Sequence, residues 1–115
     1  MMIEKFEEII AWQKGKELAI DIYSLFKDNK DYGFKSQIER ASVSIMNNIA
    51  EGFERGSKKD FKKFLYIAKA SCGEVRSMLY LGLELNYINQ QDFDKFYKLS
   101  SDISRLLAGF IKTLN

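Results

Sequence analysis

The residues best placed to do chemistry lie on one polar line. Gln37, Arg40, Ser44, Asn48, Glu51 and Arg55 are separated by three or four positions, so on a helix they fall within roughly 40° of one another. Unlike the lysine-rich exposed positions elsewhere in the chain, this line has no lysine and uses short Ser and Asn groups. Glu51 and Arg55, at i,i+4, can pair directly. We read the line as a polar network satisfied at a helix or subunit interface, rather than a solvated face or a catalytic constellation.

A second constellation is electrostatic. Residues 54–63 hold Arg55, Lys58, Lys59, Lys62 and Lys63 against Glu54 and Asp60, a local balance of +3. The other 105 residues hold 13 basic and 14 acidic side chains, so the excess positive charge of a chain with net charge +2 gathers here. Such a run is either a solvated helix start or a patch that contacts nucleic-acid phosphates.

Other chemistries are excluded by absence. The chain has no histidine, which removes Ser-His-Asp and Cys-His pairs and every metal site that needs imidazole. The single cysteine, Cys72, cannot form an internal disulfide or a zinc cluster and has no base near it in sequence, so it reads as an inert core residue. No Gly-rich phosphate loop is present. The expectation is a protein without enzymatic activity, cofactor or metal. The acidic opening MMIEKFEEII is unlike a basic signal peptide, and the most apolar later stretch, 78–85, is broken by Glu84 and too short to span a bilayer. A cytoplasmic location without membrane attachment is expected.

The elements that position these residues are helical. Proline is absent from all 115 residues, as suits long helices with short connections. Four segments carry a helical apolar period. The first runs from about Glu7 to Lys27 on Ala11, Gly15, Leu18, Ile22 and Leu25, and ends in the polar cluster Asp28–Asp31. The second runs from about Phe34 to Arg55 on Ile38, Ala41, Ile45, Ile49 and Gly52, with Gly56 as its stop. Ser57 caps the third, whose stripe is Phe61, Leu65, Ala68, Cys72, Val75 and Leu79 and which continues to about Tyr87. Asn89 caps the fourth, with Phe93, Phe96, Ile103, Leu107, Phe110 and Leu114 inside. Short links make neighbouring helices antiparallel, so the expected fold is all-α: one domain over residues 1–115, an antiparallel up-and-down four-helix bundle.

Two features exceed what one bundle needs. The apolar arc of the first helix covers about half its circumference, which suits either a broad core or a second contact surface for self-association. On the third helix Phe64, Ile67, Met78, Leu81 and Leu85 form a second apolar line that Ser71 and Glu74 interrupt. A buried carboxylate needs a partner, so Glu74 is expected to pair with Arg40 or Arg55 of the same or a neighbouring chain.

Two stretches together resemble a known family. FEEIIAWQKGKELAIDIY is similar to its Phe-x-x-Leu-x-x-Trp opening, and SQIERASVSIMNNIAEGFERGSKKDFKKFLYIAKASCGEVRSML to its central signature. The family is the four-helix bundle proteins encoded by intervening sequences in bacterial large-subunit ribosomal RNA genes, also labelled S23 ribosomal protein. The resemblance implies an up-and-down bundle that assembles as a homopentamer, without known enzymatic activity. It also implies kinship with the accessory proteins of diversity-generating retroelements, basic pentamers that bind nucleic acid and a reverse transcriptase. Arg40, Asn48, Glu51, Gly52, Arg55, Ser57, Phe61 and Glu74 match the pattern. Glu39 stands where a second arginine is frequent, Met46 where a proline is frequent, and Arg76 where an acidic residue is frequent. The partners thus expected are further copies of the chain and RNA or DNA, directly or through an associated protein; the alternative is a structural or protein–protein scaffold that binds no nucleic acid.

Overall fold

A computed structural model describes residues 3–115 as a 3-10 turn, Phe6–Glu8, followed by four α-helices: α1 Ile10–Leu25, α2 Tyr32–Glu54, α3 Lys58–Glu84 and α4 Gln90–Lys112. The protein is an all-α four-helix bundle measuring 43 × 21 × 19 Å. Around it, α1 packs on α2 and α4, and α3 packs on the same two, so that α1 and α3 lie across one diagonal.

Each helix starts and stops for a local reason. Asp31 Oδ1 accepts from the backbone N–H of Phe34, Ser57 Oγ from that of Asp60, and Asn89 Oδ1 from that of Asp92, so α2, α3 and α4 have side-chain N-caps. The α2–α3 turn closes on Gly56 at φ +82°, where a glycine carries no Cβ penalty. Asn86, at φ +61°, ends α3, and the N–H of Tyr87 bonds back to the carbonyl of Gly82. The third helix therefore stops at Glu84 rather than near Tyr87. The first begins later than its periodicity suggests, because Ile9 is extended (φ −76°, ψ 120°) between the 3-10 turn and α1.

One core draws on all four helices. The inner stripes of α2 and α3 are buried as their spacing predicts, as are Ala11, Gly15, Leu18 and Ile22 of α1 and Phe93, Phe96, Ile103 and Leu107 of α4. Cys72 is buried among them, and desolvation pushes its thiol up to about 11, so it remains protonated and inert. Each end of the bundle is closed by edge-to-face aromatics. Phe34 meets Phe26 and Tyr87 at 5.2 and 5.0 Å, and Phe61 meets Phe53 and Phe110 at 5.8 and 5.2 Å. At the second end α2 and α3 pack tightly: a Cβ on Gly52 would stand 2.6 Å from Phe64 Cβ and 3.1 Å from Phe61 Cδ1. Only glycine fits there, and that contact sets how the α2–α3 turn is presented.

Candidate nucleic-acid interface

The polar line of α2 is hydrogen-bonded to α3 at its middle: Ser44 and Asn48 are half-buried, whereas Gln37, Arg40, Glu51 and Arg55 are exposed. Asn48 Nδ2 donates to the Ser44 carbonyl and to Ser44 Oγ at 2.8 and 2.9 Å. Ser44 Oγ is 2.9 Å from Ser71 Oγ on α3, and the Ser71 hydroxyl is also 3.1 Å from the Ile67 carbonyl. Asn48, Ser44 and Ser71 thus form a hydrogen-bonded bridge between the helices. Glu51 and Arg55 pair separately at 2.9 Å, both about half exposed, and the Arg55 guanidinium lies 4.9 Å from the centre of the Phe64 ring. In the sequence Ser71 stands only as a gap in an apolar line, so periodicity does not reveal the bridge; its offset from the core stripe of α3 is the one signal that points to it.

Three members of the expected network stand apart, and Gln37 is one of them, exposed and without a side-chain hydrogen bond among the described residues. Glu74 and Arg40 are both exposed, and among the described residues neither forms an ion pair or a side-chain hydrogen bond. Within one chain the expected pairing of Glu74 with Arg40 or Arg55 is therefore not made. The second apolar line of α3 is split: Phe64 and Met78 are half-buried, Met78 against the core, while Ile67, Leu81 and Leu85 are exposed, Leu81 at 46%; Glu74 is exposed with the latter and needs no buried partner. The wide arc of α1 is mostly core: Ala19 and Phe26 are buried with the stripe, Trp12 and Leu25 pack against it, and only Tyr23 of the arc is exposed, beside Ile20 at 59%.

The basic turn is assembled by three local devices. Gly56 reverses the chain, the Ser57 cap fixes the start of α3, and Gly52 brings α2 and α3 together behind it. Lys58, Lys59 and Lys63 are exposed; Lys62 is half-buried and donates to Asn115 Oδ1. None of the four lysines forms an ion pair among the described residues, whereas Arg55 is held by Glu51. Lys58 also edges an open groove of about 710 Å³ whose floor is Leu106, Gly109, Phe110 and Leu114 of the α4 end. Among the described residues, no three His, Cys, Asp or Glu side chains come together as a metal site, and no helix is long and apolar enough to cross a membrane.

Residues 7–109 match the model of the 23S rRNA-intervening sequence protein family. The chain belongs to that family. Its fold is similar to the crystal structure of a protein of unknown function from the S23 ribosomal protein family of Bacteroides thetaiotaomicron VPI-5482, with 29% sequence identity over 90% of this chain and 99% of that one, and a TM-score of 0.84. A comparison with curated proteins finds no match. Gly52, where α2 packs tightly on Phe61 and Phe64 of α3, and Ser57, the cap of α3, both lie within the matched span.

Proposed function

We propose that this intervening-sequence protein is a non-enzymatic, homo-oligomeric binding protein, five copies being favoured, that contacts RNA or DNA phosphates through the α2–α3 turn. The observation that carries this reading is the set of lysines at the start of α3, exposed or half-exposed and without carboxylate partners among the described residues. Lys58, Lys59, Lys62 and Lys63 supply most of the positive charge, and Arg55, partly neutralised by Glu51, adds less. Free backbone N–H groups of the first turn of α3 add anion affinity. Contacts of this kind address the phosphate backbone and carry little sequence preference.

Self-association is supported by the apolar side chains that a single bundle leaves outside, Ile20 and Tyr23 on α1 and Ile67, Leu81 and Leu85 on α3. The same exposed residues favour a second reading, a protein–protein scaffold in which the basic turn only solubilises the surface. The two readings separate on purification. The nucleic-acid reading expects the absorbance ratio at the nucleic-acid and protein maxima to be raised before a high-salt wash and to fall after it. It also expects the variant with Lys58, Lys59, Lys62 and Lys63 all changed to Gln to purify without the excess. A wild type free of nucleic acid that also fails to bind added duplex or single strands at low salt hands the function to the scaffold.

A further inference from the structure

The stripe of α3 that borders α4 carries a second pattern. Lys62, Tyr66, Lys69, Gly73, Arg76 and Tyr80 follow one another at intervals of four, three, four, three and four residues, and so share one side of the helix. Contacts place that side against α4: Lys62 bonds Asn115 at one end, and Tyr80 packs on Phe93 and Tyr97 at the other, with ring centres 5.1 and 5.5 Å apart. The six positions hold three cations and two tyrosines and no carboxylate. Glu84, one turn past Tyr80, closes the stripe.

The tyrosines of the stripe face outward, and the cations between them are partly covered. Tyr66 and Tyr80 are each 54% exposed. Lys69 and Arg76 between them are half-buried, and Arg76 Nη1 is a buried donor with no hydrogen-bond partner among the described residues. A Cβ added to Gly73 would meet only Arg76 Nη2, at 3.8 Å, so the helix backbone stays approachable midway along the stripe. From Lys62 to Tyr80 the stripe extends about 27 Å at ~1.5 Å per residue, and its first cation belongs to the basic turn.

We propose that this α3 stripe is a track for single-stranded nucleic acid, in which Tyr66 and Tyr80 stack on unpaired bases while Lys69 and Arg76 hold the phosphates between them. The proposal rests on the phosphate-binding reading of the turn and sharpens it to a partner. Aromatic platforms alternating with cations suit strands whose base faces are free; a duplex hides those faces and can use the cations alone.

Fluorescence anisotropy with labelled oligo(U) of about 15 nucleotides, and with a duplex of equal length, tests the assignment. Tyr66→Leu keeps the apolar bulk at an exposed position and removes the ring. It is expected to weaken oligo(U) binding about tenfold, the scale of one base–aromatic stack, and to leave duplex binding unchanged. Lys69→Gln with Arg76→Gln should lower the slope of log affinity against log salt by about 0.7 for each phosphate of the single strand that is no longer neutralised, with thermal melts confirming that each variant folds. Equal losses on strand and duplex for Tyr66→Leu, or no loss on either, overturn the stacking track. If the quadruple Gln variant of the turn loses duplex binding while Tyr66→Leu loses nothing, the turn reading stands and the track falls. If Tyr66→Leu loses strand binding while the quadruple variant keeps the duplex, the track stands and the turn falls. A wild type that binds neither ligand overturns both.

Discussion

At the scale of single residues, Asp31 links two distant parts of the chain. One of its oxygens caps α2, and the other accepts from the Tyr87 hydroxyl in the α3–α4 connection at 2.7 Å. The Tyr87 bond, with smaller help from backbone N–H groups, lowers the Asp31 carboxyl below its ordinary value and raises the Tyr87 phenol. A carboxyl depressed in the folded state contributes stability above its unfolded value, near 3.8, and that contribution fades as pH falls through the folded value. Tyr87→Phe should return Asp31 toward its ordinary range and move acid unfolding to higher pH, as read from melting temperature across the acid range and from the Asp31 carboxyl titration by NMR. Glu74 gives the opposite lesson. Because it is exposed and unpaired among the described residues, Glu74→Ala should melt with the wild type wherever neighbouring copies leave Glu74 solvated. A loss of about 3 to 5 kcal/mol, the cost of stranding a buried partner, would mean that another copy of the chain buries it.

Elements show where sequence patterning is decisive and where it stops. The four helices, the caps at Ser57 and Asn89 and the stop at Gly56 are legible because each depends on side chains within a few residues. The early break at Ile9 is not, because an extended isoleucine carries no local signal; the end of α3 at Glu84 has one in Asn86, a residue that tolerates the left-handed conformation, but apolar periodicity runs past it. The surroundings of Glu74 escape the sequence for a related reason. Periodicity ranks the faces of a helix but does not tell how far the core reaches around it, and here Ile67, Leu81 and Leu85 of the second apolar line fall outside while Phe64 and Met78 are half-buried. The basic turn is legible from charge alone; the tyrosine–cation stripe of α3 lies in the spacing but needs the position of α4 to become a surface. Gly52 makes the element-scale test. Alanine there gains up to about 1 kcal/mol of helix propensity but forces Phe64 and Phe61 away at 2.6 and 3.1 Å. Overpacking of that kind costs about 1 to 3 kcal/mol, so Gly52→Ala should be net destabilising in urea or thermal unfolding and should loosen the α2–α3 turn.

For the whole molecule, the question is what covers the exposed apolar side chains and what the concentrated charge meets. A closed ring is built from two different faces of each copy, and exposed apolar groups on α1 and α3 provide two. Sedimentation equilibrium at micromolar concentration is expected to give a multiple of 13.4 kDa, five copies being favoured; a clean monomer contradicts the assembly. In a pentamer the +3 segment recurs to give about +15 locally, and affinity for phosphates rises steeply with each one neutralised. The most direct test of that claim is the salt dependence of duplex DNA binding. The account predicts a straight fall of log affinity with log salt at about −0.9 per phosphate neutralised. It also predicts a clearly flatter line for the Lys58, Lys59, Lys62 and Lys63 to Gln variant, with the oligomer intact. An unaltered slope in that variant, or no affinity of the wild type at low salt, would contradict it.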